Sequence, residues 1–204
     1  CDEAIKFDPK QLDPWNNKAA ALLNLKRYKE AIPCFDESIK LDPAQSWQWN
    51  KKAFALLNLG RHDECIACCD EAIRLDPGKS NTWNNKAESL LNLGRHDECI
   101  ACCNEAIRLD PGKSNTWNNK AFALHKLKRY NEAIQCCDEA IKLDPEQLDP
   151  WNKKASALHK LKRYDECIAC CDEVIRLDPA QFWPWNNKAL ALLNLKRYNE
   201  AIPC

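Results

Sequence analysis

A tryptophan returns at a constant step of 34 residues along this chain of 204 residues, and the sequence between two of these tryptophans hardly changes. Asn follows each of them, a Lys-Ala pair begins three residues later, and Leu-Asp-Pro or Phe-Asp-Pro precedes each one. A fixed period of this size indicates stacked supersecondary units, each of which buries its apolar surface against its neighbours. The recurring tryptophans are Trp15, Trp49, Trp83, Trp117, Trp151 and Trp185.

Within one period the apolar residues follow helical spacing twice. This spacing predicts one helix, a short turn through Lys128-Arg129-Tyr130 and a second, antiparallel helix, and hence an all-α fold. The apolar positions are Trp117, Ala121, Leu124 and Leu127 in the first helix, and Ala133, Ile134, Cys137, Ala140 and Ile141 in the second.

The period also predicts where each repeat begins. Six periods account for the whole length, so we expect one solenoid over residues 1–204 with no internal domain boundary. The predicted parts are a half helix at 1–9, complete repeats at 12–45, 46–79, 80–113, 114–147 and 148–181, and a partial repeat at 182–204.

Local signals mark both helices of a repeat. Asp13-Pro14 and Asp149-Pro150 are typical of an N-cap followed by Pro at the first helical position. In the second helices, an Asp four residues before a Lys or Arg predicts an ion pair within the helix, which contributes a few tenths of a kcal/mol. The predicted pairs are Asp36–Lys40, Asp70–Arg74, Asp138–Lys142 and Asp172–Arg176.

The repeat resembles the tetratricopeptide repeat along the whole chain. That family has Trp early in the first helix, small residues at the helix crossings, an aromatic at the turn and a closing Pro. The resemblance implies a right-handed superhelical solenoid of antiparallel helix pairs that serves as an interaction scaffold. One departure recurs: Lys-Ala replaces the usual Leu-Gly, so each Lys must lay its methylenes on the core and carry its ammonium to water or a carboxylate. The matching residues are Trp117, Ala121, Tyr130, Ala133, Ala140 and Pro145.

Charge and hydropathy exclude several classes of partner. Thirty basic and thirty acidic residues cancel and are spread through every repeat, so no basic stripe favours nucleic acid. No apolar run approaches the length of a membrane span, and no signal-peptide pattern is present. We therefore expect protein or peptide partners, with no nucleic acid and no membrane.

No residue pattern predicts an enzyme or a cofactor. The chain has no Gly-rich phosphate loop, because its glycines fall singly in turns. None of the four histidines has a nucleophile and a carboxylate in a repeat-specific arrangement, so substitution within a repeat explains them better than catalysis. The histidines are His62, His96, His125 and His159.

Fourteen cysteines are the compositional anomaly, and three copies of Cys-Ile-Ala-Cys-Cys invite a zinc or redox interpretation. Zinc needs four convergent ligands, and no second pair is aimed at the first. Inter-repeat disulfides need Cα atoms within about 7 Å, which is closer than stacked helices approach. We therefore predict that these cysteines are small core hydrophobes, which favours a reducing, cytoplasmic compartment.

The two positions after each tryptophan, here called the amide ladder, carry the candidate binding site. A primary amide offers a donor and an acceptor, so it matches a peptide unit without reading side chains. The first helices line the concave surface in the tetratricopeptide family, where similar ladders hold extended peptides, so the resemblance implies peptide binding. Near-identical repeats would also copy any solvated residue. The ladder comprises Asn16, Asn50, Asn84, Asn118, Asn152 and Asn186 at the first position, and Asn17, Lys51, Asn85, Asn119, Lys153 and Asn187 at the second.

A weaker version of this hypothesis comes from members of the family that clamp a terminal carboxylate. Lys51 with Asn85, or Lys153 with Asn187, would imitate part of such a clamp. The full set of cationic residues does not match.

The two ends of the sequence complement each other. Joining the last residue to the first keeps the 34-residue phase and rebuilds one second helix, with no capping helix at either end. Either the chain is a window of a longer array, or copies stack head to tail into a filament. The residues predicted to self-associate are Cys1, Ala4, Ile5, Ala201, Ile202 and Cys204.

Overall fold

The computed structural model describes residues 1–204 and is entirely helical, as predicted. The chain divides into two compact units, residues 1–110 and 111–204, here called the N-terminal and C-terminal units. The N-terminal unit contains α1 (Asp2–Phe7), α2 (Leu12–Asn24), α3 (Tyr28–Leu41), α4 (Ser46–Asn58), α5 (His62–Leu75), α6 (Ser80–Asn92) and α7 (His96–Leu109). The C-terminal unit contains α8 (Ser114–Lys126), α9 (Tyr130–Leu143), α10 (Leu148–Lys160), α11 (Tyr164–Leu177), α12 (Phe182–Asn194) and α13 (Tyr198–Ala201).

Helices pack with their neighbours in sequence within each unit. In the N-terminal unit, α2 packs on α3, α4 on α5 and α6 on α7, and each pair also packs on the next. The C-terminal unit repeats this arrangement from α8 to α13. Successive first helices contact each other as well: α4 contacts α6, α8 contacts α10, and α10 contacts α12. None of the helices is both long enough and apolar enough to cross a bilayer.

Small residues let the two helices of a repeat approach closely. In α4, Ala53 and Leu56 are fully buried, and in α5 Cys65, Cys68 and Cys69 belong to the same core cluster. Ala leaves room for the facing backbone, while the Leu supplies the apolar area whose burial stabilises the pair. The same positions are buried in the other complete repeats, at Ala19 and Leu22, Ala87 and Leu90, Ala121 and Leu124, and Ala155 and Leu158.

The turn inside each repeat is a helix-terminating motif with a left-handed residue. Lys128 has φ 61°, its N–H donates to His125 O at 3.0 Å, and Arg129 N–H donates to Leu124 O at 2.9 Å. These two bonds satisfy carbonyls that the helix leaves unpaired. Tyr130 was predicted to lie in the turn, but it is the first residue of α9, because this motif closes within Leu127–Arg129. Left-handed residues at the other turns are Lys26, Gly60, Gly94, Lys162 and Lys196.

The turn between repeats is built by Asp-Pro and the next tryptophan. Asp76 ends α5 in an extended conformation, which the following Pro77 favours, and its Oδ1 accepts a hydrogen bond from Gly78 N–H at 2.9 Å. The indole N–H of Trp83 then donates to Pro77 O at 3.0 Å. Every recurring tryptophan makes the equivalent bond, to Pro9, Pro43, Pro77, Pro111, Pro145 and Pro179.

Two local predictions were wrong. Asp13 and Asp149 are not N-caps, because both lie inside a helix. The N-caps are Gln11 and Gln147, and α2 and α10 begin at the residues that follow them. The predicted i,i+4 pairs also do not form. Basic residues near the end of the second helices pair with a Glu three residues before them instead, as in Arg74–Glu71 at 2.9 Å. The Asp is left for another partner.

That partner is the Lys of the recurring Lys-Ala pair on the next first helix. Lys52 Nζ lies 2.6 Å from Asp36 Oδ1 and 5.9 Å from the centre of the Trp49 ring, with its side chain 19 % exposed. The Lys stem therefore covers the tryptophan, and the ammonium reaches a carboxylate of the preceding repeat, as the Lys-for-Leu departure required. Four further ion pairs join the same Lys and Asp positions of neighbouring repeats: Lys18–Asp2, Lys86–Asp70, Lys154–Asp138 and Lys188–Asp172.

The left-handed turn position gives a stability test with an internal control. A left-handed non-glycine residue costs about 1 kcal/mol, so Lys128→Gly should raise the free energy of unfolding by up to about that amount. Gly94→Lys should lower it similarly, because a Cβ at Gly94 meets no atom within 4 Å and only the backbone is strained. Denaturant unfolding measures both, and equal signs for the two variants would contradict this account of the turn.

Candidate functional site

The first-helix face of the N-terminal unit carries a cleft of about 260 Å³ between α4 and α6. Asn50, Lys51 and Phe54 line it from α4, and Asn81 and Asn85 line it from α6. Residues four apart lie on one side of a helix, which is why Asn50 faces the cleft together with Phe54, and Asn81 together with Asn85. A second cleft of about 210 Å³ shares Asn50 and Asn81 and is also lined by Trp47 and Lys79.

Two amides of the ladder meet in this cleft. Asn85 Nδ2 donates to Asn50 Oδ1 at 3.0 Å. That bond leaves the carbonyl oxygen of Asn85 and the amide N–H groups of Asn50 as a complementary acceptor and donors for a ligand. Phe54, 40 % exposed, provides apolar surface beside them. The arrangement matches a peptide unit next to an apolar side chain.

The first-helix face of the C-terminal unit has a cleft of about 240 Å³ lined by α8, α10 and α12. Its apolar walls are the rings of Phe122 and Trp183. The Nζ atoms of Lys126 and Lys153 lie 5.1 and 5.4 Å from the centre of the Phe122 ring, so both ammoniums are within cation–π distance of one ring. The remaining lining residues are His125, Asn152 and Ser156.

His125 is held in place within this cleft. Its Nε2 lies 3.0 Å from Ser156 Oγ, and its ring meets Tyr130 edge-on at 5.2 Å. Burial lowers the pKa of His125, and the charges of Lys126, Lys160 and Lys153 lower it further. The imidazole is therefore neutral at neutral pH, and the positive charge of the cleft comes from the lysines.

The ladder positions do not all have the same surroundings. Asn16 Oδ1 accepts hydrogen bonds from Ser38 Oγ and from Gln48 Nε2, the latter at 3.4 Å, and so ties neighbouring helices together. Asn118 is only 8 % exposed, and its Oδ1 is buried without a partner. Asn152 is half-buried, and its Oδ1 is likewise buried without a partner while the residue lines the C-terminal cleft.

The remaining ladder residues lie nearer to solvent. Asn187 Nδ2 donates to Trp183 O in its own helix at 2.9 Å, and Lys153 Nζ lies 3.6 Å from Asp149. The structure thus places Lys51 and Asn85 on one cleft, whereas the cleft that contains Lys153 is not lined by Asn187. Asn17 and Asn186 are exposed, and Asn84 and Asn119 are half-buried.

The sequence profile of the tetratricopeptide repeat matches residues 13–45, 46–79, 80–113, 114–147 and 149–181, and a second profile with the same description matches residues 170–202. These matches span nearly the whole chain. The chain belongs to the tetratricopeptide repeat family. The resemblance recognised from the recurring tryptophans is therefore confirmed.

Solved structures agree with this tetratricopeptide fold. YrrB, described as a tetratricopeptide protein with an unusual peptide-binding site, is 14 % identical with a TM-score of 0.78, and the match covers 91 % of this chain and 96 % of that one. MamA of Desulfovibrio magneticus RS-1 is 16 % identical with a TM-score of 0.78, covering 84 % and 97 %. PilF of Pseudomonas aeruginosa is 14 % identical with a TM-score of 0.78, covering 93 % and 86 %. At these identities the likeness shows the fold alone. No curated protein matches the chain in sequence.

Sequence reasoning missed the aromatic and polar walls of the clefts, above all Trp47, Asn81 and Trp183. A signal was present: the second residue before the recurring tryptophan varies among the repeats, although the tetratricopeptide framework around it is constant. Variation at one position among near-identical repeats indicates a surface that the framework leaves free. The residues at this position are Asp13, Trp47, Asn81, Asn115, Asp149 and Trp183.

The residues predicted to self-associate lie at the two terminal helices. Cys1 and Ala4 of α1 are exposed, and Ile5 is half-buried. At the other end, Ala201 and Cys204 pack against the core of the last repeats, whereas Ile202 is 82 % exposed.

The cysteines lie in the core, as predicted, with the exception of exposed Cys1 and half-buried Cys204. Burial raises the pKa of Cys68 and Cys102 to about 11. Burial also raises the pKa of Cys137 and Cys170 to about 12. No group of three or more His, Cys, Asp and Glu side chains is placed to hold a metal ion. These thiols therefore behave as packed apolar groups.

Thiol reactivity tests this assignment. At neutral pH a thiol-specific disulfide reagent should modify only Cys1 and Cys204 quickly in the folded protein, because the other twelve thiols are buried out of reach of the reagent. Denaturant should release the remaining thiols. A Cys1→Ser, Cys204→Ser variant is the control and should show almost no fast phase. Fast modification of Cys68 or Cys102 in the folded protein, located by peptide mapping, would contradict the assignment.

Proposed function

We propose that this tetratricopeptide scaffold for protein interaction binds extended segments of partner proteins at the first-helix face of each of its two units. The tetratricopeptide fold is typically a non-enzymatic scaffold. Two clefts supply the contacts, that of Asn50, Phe54 and Asn85 in the N-terminal unit and that of Phe122 and Asn152 in the C-terminal unit, each with a ladder amide beside an aromatic ring. One observation carries the proposal: the amides of Asn50 and Asn85 meet at 3.0 Å in a cleft beside Phe54 and keep donors and an acceptor for a ligand.

These donors and this acceptor match the C=O and N–H groups of a peptide backbone, and each hydrogen bond formed is worth about 1 kcal/mol net. In the C-terminal unit the amide of Asn152 lines the cleft, and its N–H group is the part that a ligand can reach because its oxygen is buried. Amides read a peptide backbone without reading side chains, so this part of the affinity is independent of sequence. YrrB, with its described peptide-binding site, is consistent with this use of the fold.

Paired alanine substitutions test the proposal. Asn50→Ala with Asn85→Ala removes both partners of one internal hydrogen bond, so no orphaned group remains and melting should stay near that of the unchanged protein. Binding of unrelated peptides from an array should weaken together by roughly thirtyfold, since two backbone hydrogen bonds are worth about 1 kcal/mol net each.

The matched control changes the same residue type on the same helices. Asn58 and Asn92 donate to the carbonyls of Phe54 and Glu88 in their own helices, so Asn58→Ala with Asn92→Ala should leave peptide binding unchanged. Equal losses in the two double variants, or no loss in either, would count against the amide ladder.

A second candidate function is end-to-end association of copies. The observation that favours it is apolar exposure at the terminal helices, where Phe7 is 92 % and Ile202 is 82 % exposed. In sedimentation velocity we expect association that grows with concentration and is weakened by Ile202→Lys, because a charge at the contact must be desolvated. Leu193→Lys, another exposed apolar residue of the last repeat, is the control. A monomer at every concentration would rule this function out.

A further inference from the structure

Positive charge concentrates on one part of the first-helix face. The cleft of the C-terminal unit is lined by Lys126 and Lys153 and by no carboxylate. Lys160 stands on α10 at the position that Lys126 occupies on α8, and its charge acts on His125 of the same cleft. Asp149 lies 3.6 Å from Lys153 and is 68 % exposed, whereas neither Lys126 nor Lys160 has a carboxylate partner in the chain.

The other repeats show that these lysines are not part of the framework. At the position of Lys126 and Lys160, the remaining first helices have Asn, and in three of these four the amide donates to the carbonyl four residues earlier, as in Asn58 to Phe54 at 2.8 Å. The residue before it is His in the same two repeats and Leu elsewhere. The His-Lys pair therefore occurs only in two adjacent repeats, whereas the residues of the repeat framework around it are constant. The four framework equivalents are Asn24, Asn58, Asn92 and Asn194.

The aromatic rings of the cleft determine which kind of side chain can bind beside an anionic group of the ligand. Phe122 has two ammoniums near its ring, and Trp183, 38 % exposed, also lines the cleft. An anionic group in this cleft would pair with the lysines while an apolar neighbour covers the rings.

We infer that this cleft selects an acidic side chain, Asp or Glu, within the bound segment, with an apolar residue next to it. This inference rests on the proposed function and names the partner chemistry at one of its clefts. A clamp for a chain terminus would add the amide of Asn187 to Lys153, but that amide donates to its own helix instead. This arrangement favours an internal acidic residue over a chain terminus.

The test uses randomised peptide pools with blocked ends, acetylated and C-terminally amidated, which carry a fixed core of either Glu-Phe-Glu or Gln-Phe-Gln. A third pool has the Gln core and a free C-terminal carboxylate. Each pool is captured on immobilised full-length protein, and enriched peptides are then measured by fluorescence anisotropy. The variant is Lys126→Asn with Lys160→Asn, which places at both positions the residue that the framework already accepts. The control is Lys40→Asn with Lys142→Asn, which removes the same charge from the ends of second helices.

The Glu pool should be retained best, and the Lys126→Asn, Lys160→Asn variant should weaken its peptides by roughly fivefold to tenfold, as expected for two partly exposed ion pairs. Raising the salt concentration should erase most of that difference, and the control should bind like the unchanged protein. Equal retention of the Glu and Gln pools would overturn the acidic selectivity while leaving the proposed function intact. Retention of only the free-carboxylate pool would replace it with a terminal clamp. Failure of all pools to bind would overturn both proposals.

Discussion

Every turn between repeats depends on one hydrogen bond, from the indole N–H of the recurring tryptophan to the carbonyl of the proline that precedes it. These bonds measure between 3.0 and 3.2 Å in all six copies. Pro cannot continue the second helix, and it holds the preceding Asp in an extended conformation. The carbonyl that the turn leaves open is satisfied by the same side chain whose ring packs inside the repeat. The Trp and the Pro of the 34-residue motif are thus the two ends of a single contact, and this contact sets where each first helix begins.

The framework was predictable because its contacts are short in sequence and recur. Helical spacing from Trp117 to Ile141 was enough to predict the helix pair, and the Ala positions indicated where helices cross. The clefts were not predictable in the same way. They depend on which variable residues of different first helices line one cleft, as Phe122 of α8 and Trp183 of α12 do, and on whether an amide such as Asn152 is left without a partner. Periodicity assigns such residues to a face but says nothing about their neighbours across it.

The Lys-for-Leu departure shows how a local rule fails against a tertiary contact. Asp70 was expected to pair with Arg74 in its own helix, but it binds Lys86 of the next repeat at 2.5 Å. Burial opposes the charge of Lys86 and Lys154, yet the hydrogen bonds and charges of their aspartates hold the pKa of both ammoniums above the usual value. Exposed pairs within a helix contribute only a few tenths of a kcal/mol, so a partly buried pair between repeats easily displaces them. The departure from the family pattern therefore links neighbouring repeats.

The central claim is that ladder amides on the first-helix face form hydrogen bonds with a bound segment. Nitrogen-15 NMR of the side-chain amides during a titration with a captured, end-blocked peptide tests it most directly. The account predicts that the Nδ2 resonances of Asn50, Asn85 and Asn152 shift together and saturate, while those of Asn58 and Asn194, which bond their own helices, stay in place. Saturating shifts confined to the second helices or to the terminal helices, with the ladder amides unmoved, would contradict it.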